Sequence, residues 1–175
     1  IAEPLKKFDT NGQVILCSSF SKSLSRDLRI GWVFGGKWHD KITQLKLVTQ
    51  LSSSESTQQG LATFLEEGHY RRYLSQQVNK LKQQQRELMI LLDTHWSDKI
   101  RYTHAQGGIS MWVELEESIN TQHSYNKVLE QGVIMTPGSL FSASGQYKNF
   151  LRLSYIHPLT EQRQAAIKKL FSVLL

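Results

Sequence analysis

The sequence predicts a mixed α/β chain built in two parts and joined by one long helix. Three observations carry this expectation. Two short β-type runs, Val14–Leu16 and Ile30–Phe34, bracket a hydroxyl-rich loop that holds Lys22. A single apolar stripe at helical spacing runs from about 69 to 95. After Trp96 the pattern changes to short strands alternating with helices, the arrangement of an α+β layer with helices over one sheet.

Residues 1–13 read as a loop with turn chemistry. Pro4 and Asp9-Thr-Asn-Gly12 frame it, and Asn11-Gly12 leads into the first strand. From Lys37 the apolar residues Ile42, Leu45, Leu47, Val48 and Leu51 recur as on a helix, which predicts one over 38–51. Ser52–Ser56 breaks it and offers N-caps for a following helix whose apolar face is Leu61, Phe64 and Leu65, with Gly68 as its C-cap. The long helix carries Tyr70, Leu74, Val78, Leu81, Leu88 and Leu92 on one stripe, interrupted by the polar run Gln83–Glu87.

Beyond it, strands are expected at Ile100–Thr103, Ile109–Leu115, Val133–Met135 and Phe150–Tyr155. Helices are expected over about 121–131, with Tyr125, Val128 and Leu129 inward, and over about 159–174. Trp32 and Trp112 read as core aromatics.

Composition sets the class. The chain has 175 residues, 39% hydrophobic and 21% charged, enough to bury a core. No apolar run approaches a membrane span. The first residues form neither a signal peptide nor a start methionine, so the chain is read as part of something longer. One cysteine, Cys17, excludes an internal disulfide, points to a cytoplasmic protein and is expected to be a buried structural thiol. The net charge of +6 is spread along helices and reads mainly as a solvated face. Six scattered histidines make no zinc pair, so no metal is expected, and no glycine-rich phosphate loop is present.

The chemistry concentrates in Ser18-Ser19-Phe20-Ser21-Lys22 and in Arg29, seven residues after the lysine. A lysine can hold an aldehyde as a Schiff base. Hydroxyls and an arginine can hold a phosphate on the same molecule. Pyridoxal phosphate has both groups.

Ser19, Phe20, Ser21, Lys22, Leu24, Leu28, Arg29, Gly31 and Trp32 resemble the cofactor-lysine motif of the fold-type I pyridoxal-phosphate enzymes, the class I aminotransferases. The Ser-Ser-Phe-Ser-Lys form looks most like the aminotransferase-like domain of GntR-type regulators of the MocR group, where a winged-helix DNA-binding domain comes first. The departure is Ser25-Arg26-Asp27, where the family has a small residue, Pro and Gly. In the second half, Gly107-Gly108, Trp112, Glu114, Leu115, Gly132-Val133, Pro137-Gly138, Phe141 and Arg152 follow the family's order.

The resemblance implies a fold and a division of the chain. Residues 1–70 would end the large cofactor-binding domain, whose greater part lies upstream. Residues 71–95 would be the connecting helix, and 96–175 the small C-terminal α+β domain.

It implies roles as well. Lys22 would be the Schiff-base lysine; its alternative is a solvated surface lysine. Arg29 and Ser19 would hold the cofactor phosphate, with Ser21 a weaker contact that could instead cap the local turn. Arg26 reads as an exposed loop charge. Arg152, in the apolar run Leu151-Arg-Leu153, would bind a substrate α-carboxylate; its alternative is a structural salt bridge at a sheet edge. The aspartate that holds the pyridine nitrogen and the aromatic that stacks on the ring would come from upstream of Ile1. The isolated chain is therefore expected to bind cofactor weakly or not at all and to be inactive.

A plain interaction module with no cofactor, its lysine incidental, is a third reading behind two expected functions: the effector domain of a GntR/MocR-type regulator, or part of a free-standing aminotransferase acting on an amino acid and a 2-oxo acid. Either implies a homodimer and an amino acid or amine ligand. DNA would be reached only through a domain outside this sequence.

Overall fold

The computed structural model describes residues 3–175. The chain forms two compact units that divide at Gln77/Val78, inside a helix.

The first unit opens on a 3-10 turn, Leu5–Phe8, followed by a carboxylate-centred loop. Asp9 accepts from the backbone N–H groups of Gln13 and Val14 and from Lys6 Nζ at 2.7 Å. The Lys6 contact above all holds the Asp9 carboxyl well below the usual carboxylate range. Lys6 Nζ also donates to the Val14 carbonyl, so one side chain ties both ends of the loop. Gly12, at φ +66, accepts from Lys37 N–H and anchors the loop again.

Strand β1 (Leu16–Ser19) pairs antiparallel with β2 (Gly31–Phe34) in a two-stranded sheet. Helix α1 (His39–Gln50) and helix α2 (Glu55–Glu66) follow. Ser54 caps α2, its Oγ accepting from Thr57 N–H. Gly68, at φ +73, donates to Leu65 O and closes the helix.

Several expectations for this unit are corrected. Cys17 is exposed, not a buried thiol. Trp32 is 43% exposed and is not a core residue among the described residues. On α1 the anticipated apolar face is open: Leu45, Leu47 and Val48 are exposed and no residue of the helix is buried. The first strand starts at Leu16 and extends into Ser18 and Ser19 instead of covering Val14. The ribbon has only two strands among the described residues, so Cys17 and Trp32 stay open, and the register with β2 sets the start of β1 at Leu16.

Helix α3 (His69–Trp96) crosses the division. Its Val78–Trp96 portion enters the second unit, where Leu88 and Leu92 are buried. Gln84, in the run read as a polar interruption, is buried too, and its Oε1 has no partner among the described residues.

The second unit's sheet contains β3 (Arg101–Tyr102), β4 (Ser110–Glu114), β5 (Thr136–Pro137) and β6 (Phe150–Ser154) in the order β3-β4-β6-β5. Every pairing is antiparallel. Alternation along β4 and β6 sends Met111, Val113 and Leu151 to one face. That face packs with Leu88 and Leu92 of α3, Val128 of α4 (Tyr125–Glu130), and Ile167, Leu170 and Phe171 of α5 (Glu161–Leu174). Thr160 caps α5 by accepting from Arg163 N–H. The Arg163 guanidinium in turn donates to the carbonyls of Ser154 and His157, and burial lowers its pKa.

Three details differ from expectation. Residues 121–124 form turns, so α4 begins only at Tyr125. Leu129 is 45% exposed, not inward. The strand expected at Val133–Met135 pairs instead at Thr136–Pro137. Because β5 is an edge strand, Pro137 loses no ladder bond that a central strand would need. Among the described residues, no helix is long and apolar enough to cross a membrane.

Candidate functional site

The lysine loop closes the β1–β2 hairpin. Ser19 pairs with Gly31, and just beyond the ladder Phe20 N–H donates to Ile30 O at 3.0 Å. This bond sets the two flanks of the loop side by side, with Ser19 on one and Arg29 on the other. Phe20 is the buried pin of the loop, and its carbonyl accepts from both Leu24 and Ser25 N–H. The departure at Ser25-Arg26-Asp27 is closed locally, because Asp27 N–H donates to Ser25 Oγ at 3.2 Å. Arg26 is exposed.

Two backbone features shape the mouth. A Cβ on Gly31 would lie 2.6 Å from Ser18 O, so only glycine allows the strands this approach. Arg29 has φ +48, a left-handed conformation that an arginine rarely adopts. Such strain is held by its surroundings and clusters at sites that bind.

Lys22 and Ser19 are exposed, and Ser21 is half-buried. Arg29 is exposed and lines a cavity of about 660 Å³ with Cys17, Ser18, Trp32 and residues of α1. Ser19, Ser21 and Lys22 do not line that cavity. Among the described residues, the ion pairs are Lys6–Asp9, Lys7–Glu3, His69–Glu67 and Arg101–Glu114. Lys22, Arg26 and Arg29 therefore stand within eight positions of each other with no carboxylate bonded to any of them. The loop carries an amine, two hydroxyls and a guanidinium, which suit a phosphate-bearing aldehyde in donor type and charge, and of these Arg29 alone lines the cavity.

Two tyrosines that sequence reasoning assigned to other roles, or to none, hold this loop. Tyr70 OH donates to Ser23 Oγ at 2.8 Å, and Tyr73 OH to Leu24 O at 3.3 Å. Tyr70 also meets the Phe20 ring edge-on, with centroids 5.6 Å apart. The available signal was a pair of tyrosines in an otherwise polar first turn, each with an apolar body and a hydroxyl that needs a partner.

Arg152 belongs to the second unit. It sits on β6, a central strand, opposite Trp112 on one side and Thr136 on the other. No carboxylate pairs with it among the described residues, so the sheet-edge salt bridge does not account for it. Its guanidinium carbon lies 5.5 Å from the centre of the Phe141 ring.

Comparison with known proteins places this geometry. Residues 3–170 match the family model described as "Aminotransferase class I and II". The HTH-type transcriptional regulator YjiR of Escherichia coli K12, itself uncharacterized, is 35% identical over 170 residues, 95% of this chain and 35% of that protein. The multiple substrate aminotransferase of Thermococcus profundus superposes with a TM-score of 0.87 at 25% identity, covering 98% of this chain and 43% of that one. LysN, the alpha-aminoadipate aminotransferase of Thermus thermophilus, solved with N-(5'-phosphopyridoxyl)-L-leucine, gives a TM-score of 0.80 at 27% identity over 97% of this chain and 43% of its own. The chain spans about a third of the length of the curated regulators it matches. With the motif, the fold and the family match in agreement, the chain belongs to the class I and II aminotransferase family and carries part of its α/β fold.

Proposed function

We propose that the chain is part of the aminotransferase-like effector domain of a GntR/MocR-type transcriptional regulator that binds pyridoxal phosphate through Lys22. The observation that carries this reading is the lysine loop: amine, hydroxyls and guanidinium lie on one loop pinned at Phe20, with no carboxylate bonded to them among the described residues. The kinship with a regulator at 35% identity supports regulation over turnover. Residues 1–70 then belong to the cofactor-binding domain, 71–95 to the connecting helix and 96–175 to the small domain.

When bound, pyridoxal phosphate supplies an aldehyde carbon and an electron-accepting ring. The chain's own groups do the rest. Lys22 would hold the cofactor through its amine, and Arg29 and Ser19 would hold its phosphate, with Ser21 assisting. Arg152 receives the carboxylate of an amino acid by a two-pronged contact that lysine could not reproduce. The protein works as a homodimer. A ligand that binds one domain arrangement better than another shifts the population and with it DNA affinity.

A second reading, a free-standing aminotransferase, draws on the likeness to two solved aminotransferases. One experiment separates the readings. The gene's upstream region is sequenced, and DNA binding by the intact protein is measured with and without pyridoxal phosphate and an amino acid. A winged-helix domain and cofactor-dependent DNA binding are expected. Amino transfer to a 2-oxo acid, with no such domain, would establish the second reading instead.

A further inference from the structure

Among the described residues, Arg152 is the last residue of β6 with a strand on both sides. It stands opposite Trp112 of β4 and Thr136 of β5, and β5 pairs no further along β6. Ser154, two residues on, pairs with Ser110 of β4 but with no residue of β5. The β4 side of this strand end is tied once more, by Tyr155 N–H donating to Ile109 O at 2.9 Å. A strand end paired along one edge leaves backbone groups open on the other.

Arg163 takes the place of the missing strand. One terminal nitrogen of its guanidinium donates to Ser154 O and the other to His157 O, so it grips the end of β6 and the turn that leaves it. It reaches them from the first turn of α5, where its own N–H donates to Thr160 Oγ1. Thr160-Glu-Gln-Arg163 is a capping box with arginine where the box carries Glu or Gln. A cation there opposes the positive end of the helix dipole, and burial penalises its charge as well. An arginine kept where an acid is favoured answers to its contacts and not to the helix. Arg163 and Arg152 also line one cavity of about 260 Å³. Neither pairs with a carboxylate among the described residues. Arg163 is committed to carbonyls, whereas Arg152 is exposed.

We infer that Arg163 is a positioning residue for Arg152. It fixes the β5 side of the strand end, and with it the direction in which the Arg152 guanidinium leaves the sheet. The inference rests on the proposed carboxylate role of Arg152 and adds the residue that aims it. A two-pronged contact tolerates little error. A guanidinium displaced by about 1 Å meets a carboxylate with one N–H instead of two. Side chains that bind by geometry are held by hydrogen bonds behind them, and the grip on Ser154 is that support.

The test is calorimetric titration of the intact, cofactor-loaded protein with L-alanine and with L-alaninamide, which lacks the carboxylate. Wild type should favour L-alanine by on the order of tenfold, and Arg152→Leu should abolish the preference. Arg163→Gln supplies a residue that the capping box favours but loses the fork on two carbonyls. Its affinity for L-alanine should fall about threefold while that for L-alaninamide stays as in wild type. Arg163→Lys, which keeps a cation able to reach one carbonyl, should recover part of the loss, and it carries the test if the glutamine variant does not fold. A merely structural role would move both ligands together. Equal weakening of both ligands, or no change in either, would overturn the positioning role while the loss in Arg152→Leu keeps the carboxylate role standing. A preference for L-alanine that survives in Arg152→Leu, or is missing from wild type, would overturn the carboxylate role and this inference together.

Discussion

The Tyr70 hydroxyl reaches Ser23 Oγ at 2.8 Å, across 47 positions of sequence, and so fastens the first turn of the long helix to the residue after Lys22. The lysine loop is thus positioned by two independent devices, the Phe20–Ile30 backbone bond and the tyrosines at the start of α3. The loop's geometry belongs to its anchors more than to its own sequence.

Tyr70→Phe keeps the edge-on contact with Phe20 and removes only the hydroxyl. It should cost about 1 kcal/mol of stability. Ser23→Ala should cost a similar amount, and the double variant little more than either, because both delete one bond. Denaturant unfolding of the four proteins checks this.

Arg29 and Gly31 make opposite predictions two residues apart. Gly31→Ala drives a methyl to within 2.6 Å of Ser18 O and should destabilise the hairpin by roughly 1–3 kcal/mol. Arg29→Gly relieves the φ of +48, so thermal unfolding should show a protein at least as stable as wild type. Cofactor affinity in the same intact variant should fall, since the guanidinium has gone. A variant that gains stability while losing affinity would mark Arg29 as strained for binding.

Hydrophobic spacing made most elements of the fold legible, and the Lys22–Arg29 motif named the family, because both are local in sequence. Burial was less so. Leu45, Leu47 and Val48 lie where a helix needs them, but spacing says only that a face seeks cover and not what covers it. Trp32 and Cys17 failed for the same reason. At Val133–Met135 the β-type residues were read as the strand, whereas pairing with β6 falls on Thr136 and Pro137, because the ladder depends on a partner far along the chain. The aromatic cluster of the second unit was invisible as a unit. Trp112, Phe141, Tyr147 and Phe150 come together only through the β4–β6 register and the turn at Gly138.

Thr121 should be the most sensitive polar residue beside that cluster. Thr121→Val preserves shape and deletes the hydroxyl bonded to Lys148 O and Phe150 O; Lys148 O keeps the Thr121 N–H, and Phe150 O loses the hydroxyl donor. The expected loss is about 1–3 kcal/mol, with altered near-ultraviolet circular dichroism from the neighbouring rings.

Tyr102 gives a pH signature. Burial first, and then its 2.6 Å hydrogen bond to Asp93 Oδ1, push its pKa up to about 12, while an unfolded tyrosine titrates near ~10. The fold therefore favours the protonated phenol. Its stabilising contribution is complete below about pH 10 and is lost as pH rises toward the folded value. Burial raises Tyr155 too, so ultraviolet titration should show a late-ionising phase that shrinks in Tyr102→Phe without vanishing and moves partly to lower pH in Asp93→Asn.

The central claim is that Lys22 anchors the cofactor. The direct measurement is to load the intact protein with pyridoxal phosphate, reduce it with borohydride and locate the modified peptide by mass spectrometry. A phosphopyridoxyl group on Lys22, absent from Lys22→Ala with no other lysine taking its place, is the predicted result. A group spread over several surface lysines, or fixed on a different one, would contradict it.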